Sequence, residues 1–153
     1  FTRRWCKIAS TLRPFPEVPM ETPRAKILII DDDDLFLEIL SDVFRENNFE
    51  VVTATDGIKG IRAFLDEKPE VVIVDLVMPN LGGVSTCLEI GRLGGEAGPV
   101  IILLTSMFKG LPHEHETPEM GARIHIPKST KPLDIVIIVE QLLDRRNRHA
   151  VNR

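Results

Sequence analysis

Between Lys26 and Leu143 short β-branched apolar runs alternate with longer stretches of helical period, and this alternation leaves little choice but parallel strands joined by crossover helices. Strands are predicted over residues 27–31, 50–54, 71–75, 100–105 and 124–127. Most are apolar on successive residues, so both faces of the resulting sheet must be covered. The first helix is predicted over 34–47, with Leu35, Phe36, Ile39, Leu40, Val43 and Phe44 as its apolar stripe and an acidic start that suits the positive helix end. Further helices are predicted over 57–65 and 84–93, and a last one starts near Pro132 with Ile135, Ile138, Val139, Leu142 and Leu143 on its apolar face. A fourth helix belongs between Thr105 and Gly121, but Pro112 and Pro118 fall inside it and predict an irregular element.

Composition removes several classes of function. A net charge of −4 argues against a general nucleic-acid surface, and the one basic cluster, Arg145, Arg146, Arg148 and Arg153, is expected to be a solvated tail. Cys6 and Cys87 lack any metal or redox spacing, which points to a reduced, cytoplasmic setting. The apolar runs are strand-sized and far short of a membrane span. Residues 1–24 are expected to be a flexible extension, a cloning remnant or a linker, with Met20 a candidate natural start. Residues 25–144 form the predicted domain and 145–153 the basic tail; the stretch after Leu143 is too short and polar to pack an output domain.

Chemistry gathers where the strands end. The first runs into Asp31-Asp32-Asp33-Asp34, the third ends in Asp75, the fourth in Thr105-Ser106, and Lys128 follows the fifth. In an open parallel sheet, ligands bind at the carboxyl ends of strands where the strand order reverses. Carboxylates about 4 Å apart repel by about 4 kcal/mol at an effective dielectric near 20, so a cluster of them calls for a cation. Oxygen ligands with room for water favour Mg²⁺. A hydroxyl and an ammonium beside such a cluster suit a phosphoryl group. The simpler alternative is that Asp32, Asp33 and Asp34 only cap and solvate the first helix.

These stretches together resemble the receiver (CheY-like) domain of two-component response regulators, over about residues 25–143. The matching segments are Lys-Ile-Leu-Ile-Ile-Asp-Asp-Asp at 26–33, Val-Val-Ile-Val-Asp-Leu-Val-Met-Pro at 71–79, Pro-Val-Ile-Ile-Leu-Leu-Thr-Ser at 99–106, and Gly121-Ala122 leading to Lys128. The resemblance implies a flavodoxin-like, doubly wound α/β fold: a five-stranded parallel sheet of order 2-1-3-4-5 with helices on both faces. It implies Asp75 as phosphoacceptor, and Asp31, Asp32, Asp75 and the Val77 carbonyl as ligands of Mg²⁺. Thr105, Lys128 and the backbone of Val77 and Ser106 would contact the phosphoryl group. Thr105 and His125 would be the switch pair, although His125 also reads as an ordinary satisfied histidine. The implied donor is a sensor histidine kinase or phosphotransfer protein, and the receiver is a signalling phosphoacceptor rather than an enzyme, catalysing only its own phosphorylation and dephosphorylation. Its output goes to a downstream protein target or an output domain, with no direct nucleic-acid or membrane binding, and a phosphorylation-linked homodimer is compatible with it.

The sequence departs from that pattern in places. Lys128 precedes Ser129 rather than proline, and a cis bond there would cost about 2.5–4 kcal/mol, so a trans bond is expected. Gly82-Gly83 replaces a common Asp-Gly turn, which keeps the turn and removes a side-chain cap. Val77 and Met107, both apolar at positions near the attacking water in the family, predict a long-lived acyl phosphate. Two other functions compete. One is a pseudo-receiver that only binds proteins, favoured by the proline-bearing segment. The other is a haloacid-dehalogenase-like phosphatase with Asp31 as nucleophile and Thr105 in its second motif; Asp34-Leu35 stands where Gly-Thr is expected, and Asp75 would have no role.

Overall fold

The computed structural model describes residues 21–106 and 121–152. The expectations for the proline-bearing segment, for Met107 and for the extension before Glu21 lie outside the described residues. The elements are β1 (Lys26–Ile30), α1 (Asp34–Glu46), β2 (Glu50–Ala54), α2 (Gly57–Glu67), β3 (Val71–Asp75), α3 (Gly83–Gly94), β4 (Val100–Thr105), β5 (Ile124–Pro127) and α4 (Pro132–Val151). All five strands pair in parallel in the order β2-β1-β3-β4-β5, the order the resemblance implies. The chain order reverses between β1 and β3, which makes their carboxyl ends the switch point of the sheet.

Strand alternation sorts the side chains into two cores. Ile27, Ile29, Val71, Ile73, Ile102, Leu104 and Ile126 pack beneath α1 and α4, meeting Leu37, Leu40, Phe44, Ile135, Val139 and Leu142. Leu28, Ile30, Val72, Val74, Ile101 and Leu103 pack beneath α2 and α3, meeting Phe64, Cys87 and Ile90. Burial of both sheet faces is what the successive apolar residues of these strands require. α1 and α2 begin at aspartates: Asp33 accepts from the Phe36 N–H (3.2 Å) and Asp56 from the Lys59 N–H (2.8 Å). α3 starts at Gly82 without a side-chain cap, as the Gly82-Gly83 pair predicts, and α4 starts on Pro132.

Two sequence expectations change. The buried face of α1 is rotated from the predicted stripe: Leu35 and Ile39 are 65% and 46% exposed, while Leu37, Leu40, Ser41 and Phe44 are buried. At about 100° per residue, 35 and 39 project from the side of the helix opposite to 37 and 44. An apolar residue on nearly every turn of this helix hides that division in the sequence. In the last helix, Val136 joins the buried face and Ile138 is only partly buried. That helix also continues to Val151, so Arg145, Arg146 and Arg148 belong to it. Arg146 turns back under the sheet and donates to the carbonyls of Glu70 (3.1 Å) and Ala97 (3.3 Å), and Glu140 pairs with Arg24. No helix among the described residues is long and apolar enough to cross a membrane.

Candidate functional site

The ladder hydrogen bonds of the sheet run on into the site and fix the backbone of its members. The Asp31 N–H donates to Ala54 O (3.1 Å), the Leu76 N–H to Leu104 O (2.8 Å), and the Lys128 N–H to Thr105 O (2.8 Å). Asp31 stands one residue beyond the end of β1, where Ile30 pairs with Val74, so Asp31 and Asp75 are next-door neighbours on adjacent strands. Asp31 is fully buried and Asp75 is 5% exposed, whereas Asp32 faces solvent. One carboxylate oxygen from each of Asp31, Asp32 and Asp75 lies within 4.8 Å of the other two, close enough to share a cation.

Lys128 reaches into this cluster from the end of β5. Its Nζ lies 2.7 Å from Asp31 Oδ2 and 3.8 Å from Asp75 Oδ2. Asp31 Oδ1 accepts the Asp33 N–H at 2.8 Å. Asp31 Oδ2 has no aligned hydrogen bond, and the ammonium beside it is an ionic neighbour only. A fully buried carboxylate oxygen without an aligned donor is expensive to leave that way. Hard oxygen donors, one of them so placed, fit a hard divalent cation.

The electrostatics follow from that crowding. Burial, followed by the charges of Asp31 and Asp32 against the relief given by Lys128, pushes the Asp75 carboxyl up to about 6 from its usual 3.8. Burial also raises Asp31, opposed by Lys128 and the Asp33 N–H. Burial pulls Lys128 down, but its close ion pair with Asp31 and the further charge of Asp75 outweigh it, and the ammonium is held above its usual range. The site therefore crowds buried carboxyl groups whose charge the protein alone offsets incompletely.

Of the other predicted residues, Thr105 is buried at the end of β4, in register with Pro127 just before Lys128. His125 is half-buried and in register with Leu103. Strand alternation puts Thr105 and His125 on one face of the sheet, as a coupled pair requires. Ser106 and Val77 are exposed at the rim, and Asp33 serves as the α1 cap. The Lys128–Ser129 bond is trans, as expected.

Sequence reasoning missed two members. A Cβ added at Gly83 would collide with the Asp75 carbonyl oxygen and the Leu76 Cα, and the Gly83 N–H donates to Leu76 O at 3.0 Å. Gly83 is therefore the clearance that lets α3 begin against the strand end. The other is Phe36, whose ring centroid lies 4.6 Å from Lys128 Nζ. Helical period assigned it to the core stripe, and nothing in the sequence marks it as a neighbour of a residue 92 positions away.

The family model described as the response regulator receiver domain matches residues 27–140. The DNA-binding response regulator MtrA of Mycobacterium tuberculosis is 32% identical over 134 residues, covering 84% of this chain and 54% of MtrA. The probable transcriptional regulator ycf27 of Guillardia theta is 33% identical over 140 residues, covering 88% of this chain and 51% of that protein. The chain thus spans about half the length of the curated relatives it matches. Among solved structures, the BeF3-activated N-terminal receiver domain of Klebsiella pneumoniae RstA superposes with a TM-score of 0.65 at 27% identity, over 76% of this chain and 96% of that one. A CheY-like receiver domain protein of Methanospirillum hungatei reaches 0.71 at 22% identity, over 81% and 97%, a likeness of fold.

Proposed function

The chain belongs to the response regulator receiver domain family, and from that membership we propose that it is a signalling module switched by phosphorylation of Asp75. The observation that carries this reading is the convergence of Asp31, Asp32 and Asp75 at the switch point, with Lys128 bridging two of them at 2.7 and 3.8 Å. Asp31, Asp32, Asp75 and the backbone carbonyl of Val77 would hold Mg²⁺. Bound there, the ion would supply positive charge to the carboxylates and to the oxygens of an incoming phosphoryl group.

The chain's own residues would then divide the steps of phosphoryl transfer between them. An Asp75 carboxylate oxygen attacks the phosphorus of a phosphohistidine on a sensor kinase or phosphotransfer protein. The new P–O bond forms in line as the P–N bond breaks, and the departing imidazole takes up a proton. Lys128 stabilises the negative charge on the transferring oxygens, and the Thr105 hydroxyl and the Ser106 N–H bind them afterwards. Thr105 moving toward the phosphoryl group would vacate space on the sheet face it shares with His125 and Leu103, which couples the site to β5 and to the core beneath α2 and α3.

Asp31 is a poor candidate for the nucleophile of a phosphatase. It is fully buried, ion-paired to Lys128 and bonded to the Asp33 N–H. The downstream partner is a protein target or an output domain, in line with the relatives' greater length and with this chain's net charge of −4.

Acetyl phosphate with Mg²⁺, followed by intact mass, tests the reading. The expected result is a gain of one phosphoryl group that is abolished by Asp75→Asn. No gain in the wild-type chain would leave a pseudo-receiver that acts only by binding protein.

A further inference from the structure

Asp31, Asp75 and Thr105 sit at or beside strand ends, but Lys128 enters the pocket on a flexible four-carbon stem, so its ammonium needs something to restrict where it rests. Three neighbours do so: Asp31 Oδ2 at 2.7 Å, Asp75 Oδ2 at 3.8 Å, and the Phe36 ring with its centroid at 4.6 Å. We infer that Phe36 is a positioning residue for Lys128, its ring face keeping the ammonium within reach of both carboxylates while allowing it to pass from Asp31 to a phosphoryl group on Asp75. This rests on the phosphoacceptor reading of Asp75.

The ring is well fixed for the task. Phe36 lies in the first turn of α1, where its N–H is tied to the cap residue Asp33, and its side chain packs against the core that contains Leu37 and Leu40. The turn that begins at Asp31 therefore places both an anionic and an aromatic neighbour of the same ammonium. The two attractions differ in kind. A carboxylate oxygen holds a cation at one point, whereas an aromatic face attracts it over an area, so the second contact survives a small displacement. In the resting state Lys128 lies closer to Asp31 than to the phosphoacceptor. Its work requires it to shift toward Asp75 as negative charge builds there. A leucine at position 36 fills much of the same space but has no quadrupole, and the ammonium would then stay on Asp31 or take up water.

Side-chain NMR of the full chain and phosphorylation kinetics with acetyl phosphate and Mg²⁺ test this together. In the wild type and in Phe36→Tyr, the ε-methylene protons of Lys128 are expected upfield of their random-coil position because of the ring current, and in Phe36→Leu that displacement is lost. Phosphorylation of Phe36→Leu is expected to slow by about three- to tenfold, the range a partly desolvated cation–π contact supports, with Phe36→Tyr close to wild type. Random-coil Lys128 shifts in the wild type would overturn the inference without touching the role of Asp75. So would a wild-type rate in Phe36→Leu, or a Phe36→Tyr as slow as Phe36→Leu, which would make the ring mere packing. A wild-type chain that accepts no phosphoryl group would overturn the reading of Asp75 and this inference with it.

Discussion

Replacing Asp75 by asparagine is expected to stabilise the metal-free protein at neutral pH and to leave it unchanged in acid. The Asp75 carboxyl is raised from 3.8 to about 6, first by burial and then by Asp31. The folded state thus binds the proton more tightly than the unfolded chain does. Stability from this group is fully present below about pH 4 and is lost as the pH rises through about 6. At 1.36 kcal/mol for each factor of ten in proton affinity, the loss is about 3 kcal/mol by pH 7, or roughly 6–12 °C in Tm for a domain of this size. Asparagine keeps the shape and carries no charge, and Lys128 retains its nearer partner Asp31. Urea unfolding from pH 4 to 8 in EDTA measures the effect. The wild type should lose stability across that window more steeply than Asp75→Asn, the two meeting near pH 4. Millimolar Mg²⁺ should restore much of the wild type's deficit and help the variant less. Parallel curves in EDTA, or a variant less stable than wild type at pH 7, would refute the reasoning that the carboxylate cluster is held against its own repulsion.

Other perturbations separate the parts of the site. Lys128→Met removes the cation that Asp31 and Asp75 share and should cost about 3 kcal/mol at neutral pH, the scale for breaking one partner of a buried pair, with less loss in acid; unfolding at pH 5 and 8 checks this. Gly83→Ala forces a methyl group into the Asp75 carbonyl and should destabilise by about 1–3 kcal/mol and weaken Mg²⁺ binding, measured by calorimetry. The Val77 side chain, 55% exposed at the rim of the site, offers no hydrogen bond to water; Val77→Asn is expected to shorten the lifetime of the phosphorylated form in a decay assay, and an unchanged lifetime would count against a water-orienting role for the position. Asp33→Ala should cost about 1 kcal/mol through loss of the α1 cap and leave Asp75 able to accept a phosphoryl group.

The fold was legible because it depends on patterns that survive in one dimension. Strands buried on both faces need runs such as Val71–Val74 and Ile101–Leu104, and those runs located the sheet to within a residue. The polar groups at the ends of β1, β3, β4 and β5 were legible for the same reason, since Asp31, Asp75, Thr105 and Lys128 each terminate or follow such a run. Helix faces were harder to read. Leu35 and Ile39 look as apolar as Leu37 and Leu40, and only the direction in which α1 meets the sheet decides which pair is buried. Clearance and proximity were not legible at all. The need for Gly83 comes from the carbonyl of Asp75, eight residues earlier, and Phe36 owes its place beside Lys128 to the way α1 and β5 meet the same sheet.

The repulsion that makes the resting site costly also gives the proposed switch its driving force. With Asp31 and Asp75 both buried and both raised, a divalent cation gains more here than it would among exposed carboxylates, because it relieves a charge that burial has already made unfavourable. Lys128 alone falls short of this, since one ammonium at 2.7 and 3.8 Å is shared between two buried acids. Phosphorylation would add further negative charge at Asp75 while drawing Lys128 away from Asp31. Asp31 would then be left with the cation as its main counter-charge, so Mg²⁺ should bind more tightly to the phosphorylated chain than to the resting one. Reciprocity of linked equilibria requires the converse, that Mg²⁺ favours the phosphorylated state by the same factor. Mg²⁺ affinity measured by calorimetry for the resting chain and for the freshly phosphorylated chain would expose that coupling, and equal affinities would show that the carboxylates and the acyl phosphate do not share one cation.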